Sequence, residues 1–332
     1  MNYKESKEIL EKIKGAKKIL VNCHRSPDAD SLGSALALAE VLESMGKNVE
    51  VICPDAISDA FEYLLDYERV RKVYFENFEF SEYEIFFVLD TSGWSQLGVD
   101  LSGKENVFMV VIDHHQSNSR FGQINLVDEQ STSTAEIVFA LMEDWGVNVR
   151  NGLATKLLAG VVGDSGGFTY PSTKKETLGR ATRLMDLGGD LRLITDGMFR
   201  NIDFSALKFL GKSLDNMQLV VNYGYVWSYV GWNDWKKIDY PDGKSFSAHY
   251  FQNVKDTDLG FLVVQEGKND FNVSFRGRAS WVDSSELAGK FGGGGHKVAA
   301  GARFQDESLD GALERIHRVV REYVEKRKKR NK

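Results

Sequence analysis

Side chains suited to divalent-cation chemistry recur where apolar runs stop. Val110-Val111-Ile112 ends in Asp113-His114-His115. Residues 85–89 end in Asp90, and residues 19–23 run into His24, Asp28 and Asp30. Asp164 follows the apolar stretch 157–162. Open α/β sheets present ligand sites at the C-terminal edge of their strands, so these groups are expected to share one site. Pro27 discourages helix in the first loop, which lets His24, Asp28 and Asp30 fan out. Neutral imidazole with several carboxylates suits Mn²⁺ and related ions; thiolates would point to zinc or iron–sulfur. Cys23 precedes His24, and strand alternation turns it to the opposite face. There are ligands enough for two ions sharing one carboxylate. Two ions roughly 3.5–4 Å apart can activate water and clamp a phosphoryl group during in-line displacement.

Positioning those groups requires a sheet. Ile9, Leu10 and Ile13 have helical spacing, with Gly15 as the stop. A strand over 19–23 follows, then a helix capped by Asp30 or Ser31, with Leu32, Leu36, Ala39 and Leu42 down one face. Strand and helix alternate to Ile112, which indicates a mostly parallel sheet. Helices are predicted over 135–145, 152–162 and 177–187. The pattern changes near residue 190: 193–199 and 204–219 read as helical, and 225–230, 259–265 and 271–275 as strands. A short helix over 285–290, a glycine run, a strand ending near Phe304 and an amphipathic helix from Leu309 complete the chain. The expected fold is α/β: a mostly parallel-sheet domain over 1–190, a helical linker over 191–220, and a smaller α+β domain over 221–332. The cleft beside the hinge is the expected site.

At 332 residues the length suits two domains, and 42% hydrophobic with 27% charged residues is ordinary soluble composition. Residues 1–6 lack the apolar core of a signal peptide, and no apolar run is long enough to span a bilayer. Cytoplasm is the expected location, with Cys23 and Cys53 reduced and no membrane partner. A net charge of −6 argues against coating long duplex nucleic acid, whose binding rests on phosphate neutralisation. The basic tail from Lys326 is read as a solvated helix end. A homodimer is the default assembly.

Taken in order, the motifs resemble those of the DHH-family phosphoesterases. The family's His, Asn-Pro-Asp-Gly-Asp and Gly-Ser pattern is similar to residues 24–34, with departures at Ser26, Ala29 and Ser31. Asp90 matches the second motif, Asp113-His114-His115 the third and Asp164 the fourth. Gly292-Gly293-Gly294-Gly295-His296 with Ala299-Ala300-Gly301 resembles the signature of the DHH-associated substrate domain. The resemblance implies a catalytic, metal-binding first domain and a substrate-binding second one. It implies two Mn²⁺ ions, with Mg²⁺ or Co²⁺ as substitutes. His24, Asp28 and Asp90 would bind one ion; Asp30, Asp90, His114 and Asp164 the other. His115 would face the scissile phosphate, with Asp113 supporting an adjacent imidazole.

The glycine run has its own logic, since residues without Cβ let backbone N–H groups approach an anion. Gly293, Gly294, Gly295 and His296, with Arg276 and Arg278 at alternate positions, are the expected substrate contacts. Within the family the length resembles the nanoRNase and 3′-phosphoadenosine-5′-phosphate phosphatase group. The leading expectation is a manganese-dependent hydrolase of very short oligonucleotides, acting also on 3′-phosphoadenosine 5′-phosphate. A phosphodiesterase for linear or cyclic dinucleotides is the alternative in the same class. A nucleotide-binding regulator without turnover is the alternative of another class.

Overall fold

The computed structural model describes residues 2–102, 107–238, 247–295, 297–306 and 308–330. The chain divides into two compact units, Met1–Asn201 and Ile202–Lys332.

In the first unit, β1 (Lys18–Asn22), β2 (Asn48–Cys53), β3 (Arg71–Lys72), β4 (Ile85–Leu89), β5 (Phe108–Asp113) and β6 (Ile124–Val127) form one sheet. Its order is β3-β2-β1-β4-β5-β6, and every pairing is parallel. The central strands β1, β4 and β5 are apolar without alternation because both their faces are covered. Ile19, Val21, Phe87, Leu89, Val110 and Ile112 share a core with helices α1 (Ser6–Gly15) and α2 (Ala29–Ser44). Leu20, Phe86, Val88, Met109 and Val111 pack instead on Phe75, Phe80, Tyr83 and Leu97, the last from the short α3 (Trp94–Leu97). Helices α4 (Thr134–Asp144), α5 (Asn151–Asp164), α6 (Lys175–Asp186) and α7 (Leu191–Phe199) complete the first core through Ile137, Leu157, Leu184 and Ile194. The winding reverses between β1 and β4, the place where open α/β sheets receive ligands.

The second unit begins with α8 (Phe204–Asp215) and β7 (Gln218–Val220). Helical periodicity was expected through Leu219; instead Gln218, Leu219 and Val220 pair antiparallel with Trp227, Val226 and Tyr225 of β8 (Tyr225–Val230). Sheet hydrogen bonding overrides a weak local helix preference there. Next come α9 (Trp232–Ile238), β9 (Leu259–Gln265), β10 (Asp270–Gly277), α10 (Ser284–Gly289), β11 (Gly294–Gly295), β12 (Ala299–Gln305) and α11 (Leu309–Arg330). The sheet order is β11-β12-β10-β9-β8-β7, with β8 and β9 parallel and the other pairs antiparallel. Tyr225, Phe261, Phe271 and Phe275 pack under Ile316 and Val320 of α11, while Val226, Val230 and Leu262 pack with Phe209 of α8. The stretch expected to be a linker is thus divided, since Ile194 of α7 joins the first unit's core.

His317 is structural. Its Nδ1 lies 2.8 Å from the Tyr225 hydroxyl, its ring packs edge-on to Trp227, and burial beside Arg321 lowers its pKa to about 4. Among the described residues no helix is long and apolar enough to cross a membrane.

Candidate metal centre

Three adjacent strands deliver the site: β1 runs into His24, β4 into Asp90 and β5 into Asp113-His114-His115. Asp90 has φ 51°, the left-handed region that few non-glycine residues adopt but that Asp tolerates. Its N–H donates to Ile112 O at 3.0 Å, and the side chain is almost fully buried. Oδ2 lies 3.3 Å from His24 Nε2 and Oδ1 lies 3.4 Å from His114 Nε2. One carboxylate therefore faces two separate imidazoles, the geometry of a bridge.

Local hydrogen bonds orient the surrounding groups. His24 Nδ1 lies 2.8 Å from Arg25 O, so that nitrogen donates and Nε2 faces Asp90. The His24 N–H donates to Ser31 Oγ at 2.9 Å, a role for one of the residues at which the motif departs. The cap expected of Asp30 or Ser31 belongs to Asp28, whose Oδ1 accepts from Asp30 N and Ser31 N, both at 3.0 Å. Asp28 has the extended backbone that a cap requires, whereas Asp30 and Ser31 already lie within α2. Asp28 Oδ2 remains 3.8 Å from His24 Nε2. Asp30 is fully buried: Oδ2 accepts from Thr134 N at 2.6 Å and Oδ1 from Ala135 N at 2.8 Å. Both donors sit at the positive end of α4. Asp164, at the end of α5, places Oδ2 3.1 Å from His114 Nε2.

Ligand-capable atoms of His24, Asp28 and Asp90 lie within 4.8 Å of one another. So do those of Asp30, His114 and Asp164, and those of Asp90, Asp113, His114 and His115. Burial pulls an imidazole pKa down. At His24 the hydrogen bond and charge of Asp90 outweigh it and raise the pKa to about 9. At His114 the nearby Asp164 and Asp90 carboxylates likewise outweigh burial and raise the pKa to about 12. Burial pushes Asp90 up, but the two imidazoles hold it well below the usual carboxylate range. Burial and nearby carboxylates raise Asp164 to about 6 and Asp30 well above its ordinary value. Concentrated, buried negative charge of this kind favours a multivalent cation. His114 Nε2 supplies an independent test of fit. It is buried between two carboxylates yet meets no hydrogen bond of acceptable direction among the described residues. An atom so placed suits coordination.

Asp113 supports His115 rather than His114. Its Oδ1 lies 2.7 Å from His115 Nδ1, and burial notwithstanding, this bond and the charge of Asp90 raise the His115 pKa. In the second unit Arg276 lies in β10 opposite Gly260 and Ala299, and donates to Phe275 O at 2.9 Å. Arg278 lies past the strand and donates to Val254 O at 2.5 Å. The glycine run partly serves packing. Gly292 N and Gly293 N donate to Gly289 O and Ala288 O, and a Cβ on Gly293 or Gly295 would strike β12. Only around Gly294, of Gly293–Gly295, would a Cβ meet open space. His296 lies outside the described residues.

Sequence reasoning missed Asn118, whose amide holds Asp113, and Thr134, whose hydroxyl donates to Asp90 Oδ1 at 3.2 Å. Ser133 and Glu136, spaced as a capping box, could have marked the start of α4. Nothing in sequence marks Asn118. Gly160 was missed as well: a Cβ there would lie 2.5 Å from Asp30 Oδ1 and 2.6 Å from Ala135 Cβ. Gly160→Ala is expected to cost about 1–3 kcal/mol by overpacking and to weaken metal binding by shifting Asp30. Denaturant unfolding and metal titration check it; an unchanged midpoint and affinity would refute it.

The first unit is thus an α/β domain with a candidate divalent-cation site at its sheet's switch point. A model described as the DHH family, N-terminal domain, matches residues 18–161, and a DHHA1 domain model matches residues 229–322. The chain belongs to the DHH family and is a hydrolase of the phosphoesterase class. It is 28% identical to the bifunctional oligoribonuclease and PAP phosphatase NrnA of Thermus thermophilus, over 95% of this chain and 92% of the relative. The protein of the same description from Bacillus subtilis is 25% identical, over 86% and 88%. An exopolyphosphatase-related protein from Bacteroides fragilis shares the fold, with TM-score 0.88 and 24% identity over 98% of this chain and 97% of that one.

Proposed function

We propose that the chain is a manganese-dependent phosphoesterase that hydrolyses very short oligonucleotides and 3′-phosphoadenosine 5′-phosphate. The observation that carries the reading is Asp90, whose two oxygens face His24 and His114 at 3.3 and 3.4 Å. The activities named for the Thermus and Bacillus relatives favour these substrates. In this reading His24, Asp28 and Asp90 hold one cation, and Asp30, Asp90, His114 and Asp164 the other. Bound there, the pair supplies Lewis-acid polarisation of phosphoryl oxygens and a nucleophile at neutral pH. His115, held through Nδ1, presents Nε2 to the leaving oxygen and gives it a proton. Arg276, Arg278, Gly293–Gly295 and His296 contact the substrate's anionic groups.

The test is metal-stripped protein reloaded with Mn²⁺, Mg²⁺ or Co²⁺ and offered several substrates. These are a linear dinucleotide, a cyclic dinucleotide, 3′-phosphoadenosine 5′-phosphate and a single strand of about 24 nucleotides, longer than one typical binding site. Mn²⁺ should give the highest kcat/KM, with the linear dinucleotide ahead of the long strand by about tenfold or more, 1.4 kcal/mol of barrier. Equal rates on both would defeat the proposed length preference. Binding without turnover of any substrate would favour a regulator.

A further inference from the structure

We propose that Asn118 is a positioning residue for His115, acting through Asp113. The inference rests on the role given to His115 above. Asp113 is fully buried, and its Oδ1 accepts from His115 Nδ1 at 2.7 Å and from the N–H groups of His114 and His115 at 2.8 and 3.3 Å. Its Oδ2 accepts from Asn118 Nδ2 at 2.6 Å. The same nitrogen donates to Thr91 O at 3.0 Å, beside the bridging Asp90. Asn118 Oδ1 accepts from Arg120 N at 2.6 Å. The amide therefore has one orientation: its nitrogen faces two acceptors and its oxygen faces a donor, and a flip would lose all three bonds.

What this fixes is a ring. With both oxygens engaged, the Asp113 carboxylate cannot turn, and it keeps His115 Nδ1 as a donor. Nε2 is then the nitrogen left to meet substrate. A competitor is close, since Asp90 Oδ1 lies 3.6 Å from the same Nδ1. If Asp113 were free to swing, the ring would be drawn towards Asp90, and Nε2 would lose its aim. Positioning by a group that never touches substrate is a general property of such second partners.

The experiment uses the full chain and four backgrounds: parent, Asn118→Asp, Asn118→Ser and His115→Ala, with each Asn118 variant also combined with the last. Asn118→Asp keeps an acceptor for Arg120 N–H and so keeps the turn, but loses the donors; Asn118→Ser does so without added charge. Each is expected to lower kcat roughly 10–100-fold, with KM and bound Mn²⁺ nearly unchanged. In the His115→Ala background neither should lower kcat further. In the Mg²⁺-loaded chain, the slowly exchanging His115 Nδ1–H resonance should be present in the parent and absent in Asn118→Ser. Losses that multiply in the double variants, or parental kcat in both single Asn118 variants, overturn the inference. Parental kcat in His115→Ala overturns the reading of His115 itself, and the inference with it.

Discussion

Asp90→Asn should stop turnover, by roughly 10³-fold or more, while the protein stays folded. The size follows from what the residue does: several kcal/mol of transition-state charge stabilisation depend on cations that this carboxylate is placed to share. Asn has the same shape and also tolerates the left-handed backbone that residue 90 adopts at φ 51°. Its N–H can still reach Ile112 O, and its amide oxygen can still accept from Thr134 Oγ1. What disappears is the negative charge between His24 and His114 and one of the two facing acceptors. Metal analysis should show reduced occupancy, and circular dichroism an unchanged spectrum. Near-parental rates with parental metal content would remove Asp90 from the centre.

His115→Ala is the second large effect and should separate from the first. Loss of a positioned general acid typically costs about 10²–10⁴-fold in rate. Bound metal should stay at the parental level, because His115 Nδ1 is committed to Asp113 at 2.7 Å and stands further from Asp90. The loss should also shrink on a substrate whose leaving group needs no proton, such as a nitrophenyl phosphodiester. Metal lost together with activity would make His115 a ligand and reverse this division of labour.

The sequence by itself determined the class of chemistry and the order of its parts. Short apolar runs bounded by turn signals fit central parallel strands, and three such runs stop abruptly at His24, Asp90 and Asp113. That punctuation is local, so it can be read without knowing the fold. The glycine run was legible as backbone that approaches something closely; the structure names β12 as a neighbour of Gly293 and Gly295, which composition could not distinguish from an anion. Tertiary structure decided the rest. Asp30 meets the N-terminus of α4, more than a hundred residues away in the chain, and does so because Gly160 leaves room beside it. Asn118 finds Asp113 across a turn, and Thr91 O across the gap between β4 and β5. Asp90 presents its two oxygens from one left-handed backbone position, and in the inference above the aim of His115 depends on one amide. Such directions are set by hydrogen bonds between groups far apart in sequence, and a pattern of residue types carries no record of direction.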